Sequence, residues 1–269
     1  MVHVNNFTYG PVTPVLGYVM SCLGCFLGLR CTTRARATRG AQRARWLLLA
    51  TVSIATTGIW VMHFVAMLGF TIPGQTITYN VPVTILPMVI AVLVVGTGLL
   101  IVGFGGSGRR PLLLGGIIIG LGVASMHYLG MDAMSIPEMM QYNIPLVVLS
   151  VLIAIAAGTV ALWAGLKVRG IWSTLAAALL FGVAVTGMHY TGMAAMKVYA
   201  ATAGVYGAGQ GLTAAGEPAS SFVMPLVLGI GIFSFLALIV IMLAPSEEEI
   251  RADARLAERL AEWPASHRR

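Results

Sequence analysis

Met126-His127-Tyr128-Leu129-Gly130-Met131 closes an uncharged run that begins at Leu112, and its pattern occurs twice more, as Met62-His63-Phe64-Val65-Ala66-Met67 and as Met188-His189-Tyr190-Thr191-Gly192-Met193. An imidazole inside so apolar a stretch is costly, and within a membrane span it is a functional group by default. Successive histidines are 64 and 62 residues apart. That spacing holds two bilayer-crossing helices with their loops and exceeds the period of soluble helical-hairpin repeats. The repeat unit is therefore read as a membrane hairpin.

Composition leads to the same class: 58% of residues are hydrophobic and 9% charged, with a mean hydropathy of +0.90, far from the balance of a soluble domain. The stretches 12–29, 46–69, 82–104, 112–131, 144–166, 171–196 and 222–244 are long enough and sufficiently free of charge to cross a bilayer. They are read as helices, because a backbone in lipid must satisfy its own hydrogen bonds and these runs lack the alternation of barrel strands. The expected fold is all-α, with seven transmembrane helices built from repeated hairpins over residues 1–244 and a short charged cytoplasmic tail over 245–269. The amino terminus lacks the basic flank and cleavage pattern of a secretory signal, so the first apolar run is expected to stay as a helix.

Arg30, Arg34, Arg36, Arg39, Arg43 and Arg45 are expected in the first loop, Arg109 and Arg110 in the third, and Lys167 and Arg169 in the fifth. The other three loops contain only Asp132, Glu138, Lys197 and Glu217 among charged residues. The positive-inside bias then puts the amino terminus outside and the carboxyl terminus in the cytoplasm. The net charge of +7 is a topology signal, and no nucleic-acid partner is expected. In this orientation the three motifs lie near the outer ends of the second, fourth and sixth helices, with the imidazoles roughly 7 to 12 Å below the helix ends at a rise of about 1.5 Å per residue.

Within each motif His and the second Met are four apart and share a helix face, giving the pairs His63/Met67, His127/Met131 and His189/Met193. Met134 and Met196 follow three residues later and are expected to extend that face by a turn, where the first copy has Phe70. Imidazole with thioether suits copper, while imidazole alone also takes zinc or iron. The competing reading is that each His hydrogen-bonds a neighbouring helix and each Met fills a gap, a packing solution copied by duplication. The loops repeat too: Thr71-Ile72-Pro73 leads to Tyr79-Asn80-Val81-Pro82, and Ser135-Ile136-Pro137 leads to Tyr142-Asn143-Ile144-Pro145. Proline suits the start of the next helix, and Asn80, Asn143 and the tyrosines are candidates to orient the imidazoles.

Three Met-His-Tyr-type motifs near the outer ends of even-numbered helices in a seven-helix chain resemble the MHYT domain family of bacterial membrane sensors. The resemblance covers about residues 5–244. It implies a sensor in the bacterial plasma (inner) membrane that binds copper near the outer face and senses oxygen, carbon monoxide, nitric oxide or the metal itself. It further implies metal ligands at His63, His127 and His189, with Met67, Met131 and Met193 beside them and Met62, Met126 and Met188 as further candidates, joined by Met134 and Met196. The first copy departs from the pattern, with Phe64 for Tyr and Ala66 for Gly.

Many members of that family continue into cytoplasmic domains that make or degrade a cyclic dinucleotide. Here the residues after the last apolar run are too few for an enzyme domain, so a separate cytoplasmic signalling partner is expected and the chain itself is not read as an enzyme. The oligomeric state is open. The lipid bilayer and a diatomic gas are the other expected partners. Two further readings are a copper transport or handling protein and a zinc-dependent membrane hydrolase with Asp132 as its base. Haem held by two histidines is a remaining cofactor possibility.

Overall fold

The computed structural model describes residues 2–105, 108–136, 139–199 and 217–243, with isolated positions between 249 and 258. Among them seven helices are long and apolar enough to cross a membrane. In chain order they are α1 (Val12–Ala37), a composite second span, α4 (Val81–Gly105), α5 (Arg109–Asp132), α6 (Ile144–Lys167), α7 (Ile171–Ala195) and α8 (Ala219–Leu243). The all-α, seven-span expectation holds. The tail expected over 245–269 lies mostly outside the described residues.

The second span is the centre of the bundle, its most apolar window 83% buried. It begins as α2 (Gly40–Val52), widens into a π-helical segment (Ser53–Val61) and ends as α3 (Met62–Met67). All nine residues of the π segment are buried. Its surroundings fix it on three sides. Trp60 Nε1 donates to the Thr84 carbonyl at 3.0 Å, the Thr57 and Ser234 hydroxyls bond at 2.6 Å, and Gly24 of α1 lies so close to the Gly58 backbone that no Cβ fits there. Small residues at such a crossing let two backbones touch, which is where membrane helices gain dispersion energy.

The helix ends at the arginine-rich side run further than the sequence expectation: Arg109 and Arg110 begin α5 and Lys167 ends α6 instead of lying in loops, and the first loop differs most. α1 runs two turns past residue 29 and α2 starts at Gly40. Arg30, Arg34, Arg36, Arg43 and Arg45 therefore sit on helices, as does Cys31, and the first loop shrinks to Thr38-Arg39. The apolar criterion stops at the first charge, whereas a real helix continues into the interface when its arginines find partners. Here they close other helices, since the last carbonyls of a helix lack intrahelical donors. Arg34 Nη2 donates to the Ile241 carbonyl in the last turn of α8, Arg36 Nη2 to Val168 just past α6 at 2.9 Å, and Arg43 Nη2 to Gly103 in the last turn of α4. Arg34 and Arg43 also lie over the rings of Trp46 and Phe104, at 5.2 and 4.8 Å.

At the opposite end the loops are not irregular. β1 (Thr78–Tyr79) lies between β2 (Met134–Ser135) and β5 (Glu217–Pro218), and β3 (Met139–Tyr142) pairs with β4 (Met196–Tyr199). Tyr79 stands opposite Met134 and Tyr142 opposite Met196. The same step recurs as Asn5 N–H to the Thr71 carbonyl, Asn80 to Ala133 and Asn143 to Ala195, at 2.9, 3.0 and 2.8 Å. The chain thus repeats three times, and each loop is laced to the segment following the next motif. Met134 and Met196 are corrected accordingly: α5 stops at Asp132 and α7 at Ala195, so both lie on strands and extend no helical face.

Candidate metal centre

Each motif ends a span that packs on the other two, and the three imidazoles meet in the interior, fully buried apart from 1% of His189. Their Nδ1 atoms form a nearly equilateral triangle: His63 to His189 3.1 Å, His63 to His127 3.2 Å and His127 to His189 3.2 Å. Ring centroids are 5.0 to 5.1 Å apart and the planes cross at 81 to 89°, a pinwheel with three-fold character. Each ring also meets the aromatic residue after it edge-on, Phe64, Tyr128 or Tyr190, at 4.8 to 4.9 Å. From the ends of their helices the imidazoles are four to six residues in, about 6 to 9 Å at the α-helical rise, so they share one depth.

The glycine of the motif has a packing role. A Cβ on Gly130 would strike the His63 ring at Nε2, and one on Gly192 would strike the His127 ring at the same atom. Each glycine therefore lets the preceding copy's imidazole lie flat on its helix, with Nε2 turned to the backbone and Nδ1 to the centre. The His/Met spacing shows a shared helix face but not this cross-copy contact. The signal was present, since glycine stands three residues after His in two of the three copies.

The triangle cannot satisfy itself. A neutral imidazole has one N–H and one lone pair in the ring plane, so each Nδ1 is either a donor or an acceptor. With three mutual contacts, any assignment leaves at least one edge donor-to-donor or acceptor-to-acceptor. The Nε2 atoms of His127 and His189 are buried without a hydrogen-bond partner among the described residues, so the far side of those rings offers no compensation. Unmatched buried polar groups cost roughly 1 to 3 kcal/mol each. A cation accepting all three Nδ1 lone pairs removes the conflict. The edge length fits, because nitrogens at about 2.0 to 2.1 Å from one tetrahedral ion stand about 3.3 Å apart.

The other expected ligands stand as follows. Met62, Met67, Met126, Met131, Met134, Met188, Met193 and Met196 are all buried in the same core cluster. Asp132 is exposed at the end of α5, and the close donor group consists of the three histidines. The asparagines act as helix caps: Asn143 Oδ1 accepts from Leu146 N–H at 3.3 Å and Asn80 Oδ1 from Val83 N–H at 3.2 Å. Tyr128 bonds Ser150 through its hydroxyl at 2.7 Å, and Tyr190 stacks on Phe7 at 5.4 Å. Outside the spans, burial first, then the Asp132 carboxylate and Tyr128, push the Tyr142 phenol above its ordinary value, so it stays protonated.

Residues 57–116 and 120–178 match two copies of the MHYT family model, described as a bacterial signalling protein N-terminal repeat. The third motif lies beyond the matched residues, and the geometry places it beside the other two. The cyclic di-GMP phosphodiesterase NbdA of Pseudomonas aeruginosa is 37% identical over 199 residues, 72% of this chain and 25% of that protein. The bifunctional diguanylate cyclase/cyclic di-GMP phosphodiesterase MucR of the same organism is 32% identical over 195 residues, 71% of this chain and 28% of that protein. The signaling protein YkoW of Bacillus subtilis is 29% identical over 205 residues, 72% of this chain and 24% of that protein. The chain spans about a quarter of the length of these curated relatives. No solved structure matches.

Proposed function

The chain belongs to the MHYT family of membrane signalling proteins, and from that premise we propose that it is a copper-dependent sensor of a diatomic gas, or of the metal itself. His63, His127 and His189 hold one ion through Nδ1. The observation that carries this reading is the nitrogen triangle, whose 3.1 to 3.2 Å edges no distribution of protons on three neutral rings can satisfy. Copper is favoured over zinc because thioether-rich surroundings stabilise the reduced ion, and Met67, Met131 and Met193 follow the ligands by one turn each. Bound there, copper would supply a redox-active centre able to take a diatomic ligand.

The positive-inside pattern orients the chain with the motif end outside and the arginine-closed end in the cytoplasm. The signal leaves by α8. His63 lies two residues past the end of the π segment, and Thr57 of that segment bonds Ser234 of α8. π-helical turns are rare and concentrate at functional sites, and this one ties the centre to the final helix. For the ligand to drive a change, it must bind two arrangements of this segment with different affinity. The response passes to a cytoplasmic signalling partner, with cyclic-di-nucleotide turnover, the activity named for the relatives, as its chemistry. The hydrolase alternative loses its base, because Asp132 is exposed at the helix end while the imidazoles are buried.

Metal analysis of the purified protein tests the proposal. The expected result is one copper per chain, lost alike in His63→Ala, His127→Ala and His189→Ala, while the folded protein is retained. A metal-free wild type, or an ion retained in any two of the three variants, would overturn it.

A further inference from the structure

Between α1, α6 and α7, in the half of the bundle toward the arginine-closed end, an open groove of about 470 Å³ faces the lipid, well within the roughly 300 to 1,000 Å³ of ligand pockets. Its walls are apolar throughout, and seven of the fifteen lining residues are alanine. Where two membrane helices meet through alanine they ordinarily close up; here α6 and α7 leave a slot instead. It runs from Ile153 and Ala184 near mid-span to Val168 at the helix end.

Along the chain, polar and charged residues adjoin the lip. The Val168 carbonyl, at the lip, accepts from Arg36 Nη2 at 2.9 Å, and Lys167 and Arg169 are exposed on either side of it. Trp163, half-exposed one turn deeper, lines the groove, and Trp172, 79% exposed, begins the next helix. Tryptophan of this kind marks the headgroup level of a bilayer, so the cationic groups stand where lipid phosphates lie.

We propose that this groove is a binding site for an anionic phospholipid, one acyl chain lying along the alanine wall and the phosphate headgroup held by Lys167 and Arg169 at the edge set by Arg36. An apolar slot alone accepts any acyl chain; the two exposed cations select the anionic headgroup, as basic pockets between membrane helices do. A second copy of the chain is a poorer occupant, because a two-fold contact through this face would bring its Lys167 and Arg169 against these. The location gives the lipid a route to the sensor. Ala157 and Phe181 also wall a smaller void whose lining includes Met188, the neighbour of His189.

The test uses the full chain in phosphatidylcholine nanodiscs containing chain-matched spin-labelled phosphatidylglycerol or phosphatidylcholine, with the motionally restricted fraction measured. The wild type is expected to retain phosphatidylglycerol preferentially. Ala161→Phe or Ala177→Phe, which fill the slot, should each release one lipid per chain. The double variant Lys167→Gln/Arg169→Gln, at exposed positions, should keep the lipid and lose the headgroup preference by about thirtyfold. Equal retention of both headgroups by the wild type, or a preference untouched by the charge variant, would overturn the proposal as adventitious boundary lipid. So would a dimer that the filled variants dissociate, which would make a second copy the occupant.

Discussion

The first copy of the motif and the other two differ in a way their sequences misrepresent. By sequence the first is the degenerate one, with Phe64 and Ala66 where the others have tyrosine and glycine. In the fold it is the most central, on a span whose apolar window is 83% buried against 50% and 33% for those carrying the second and third copies. Phe64 is fully buried between Trp60, 4.6 Å away, and Tyr79, 6.1 Å away, whereas Tyr128 and Tyr190 are only half-buried. A hydroxyl at position 64 would enter a closed aromatic cluster. The substitution is thus a response to position in the bundle, and the imidazole geometry is preserved across it.

Glycine substitution should break the equivalence of the copies most strongly. Gly130→Ala and Gly192→Ala force a Cβ into the rings of His63 and His127, and each is expected to lower stability in detergent by about 1 to 3 kcal/mol and to weaken ion retention. Gly187→Ala, where a Cβ meets nothing within 4 Å, serves as the control; it should be neutral or stabilising by up to about 1 kcal/mol through helix propensity. Equal effects at Gly187 and Gly192, measured by thermal unfolding and metal content, would remove the packing role assigned to the motif glycine.

Phe64→Tyr comes next. Restoring the motif consensus there should cost about 1 to 3 kcal/mol, since the added hydroxyl is buried among rings; a variant as stable as the parent would show that the first copy is merely drifted. The smallest effects belong to the tyrosines. Tyr128→Phe loses a bond to Ser150 and should cost about 0.6 kcal/mol, typical of interhelical hydrogen bonds in membranes. Tyr190→Phe should be neutral or slightly stabilising, because that buried hydroxyl has no partner among the described residues. The reverse order in unfolding temperature would contradict the burial argument.

Much of this was legible in the chain. The apolar runs gave seven spans because nothing but a helix can cross lipid in that length, and the recurring His/Met pattern pointed to three residues that the fold brings together. The π segment was not legible: Ser53-Ile54-Ala55-Thr56-Thr57-Gly58 has the composition of an ordinary α-helical turn, and its widening depends on Gly24, Ser234 and Thr84 from three other helices. Nor were the strands, since Thr78-Tyr79 and Met134-Ser135 are too short to show alternation and form only by pairing with one another. Charge alone marks the arginines as loop residues, whereas the partners of Arg34, Arg36 and Arg43 are carbonyls at the ends of α8, α6 and α4.

X-ray absorption at the copper edge of the purified, copper-loaded chain tests most directly whether three repeats make one centre. The account predicts three imidazole nitrogens at about 2.0 Å around a single ion, with the imidazole scattering reduced in each single His→Ala variant. An ion bound through sulfur with fewer than two imidazoles, or a spectrum indifferent to those substitutions, would contradict it.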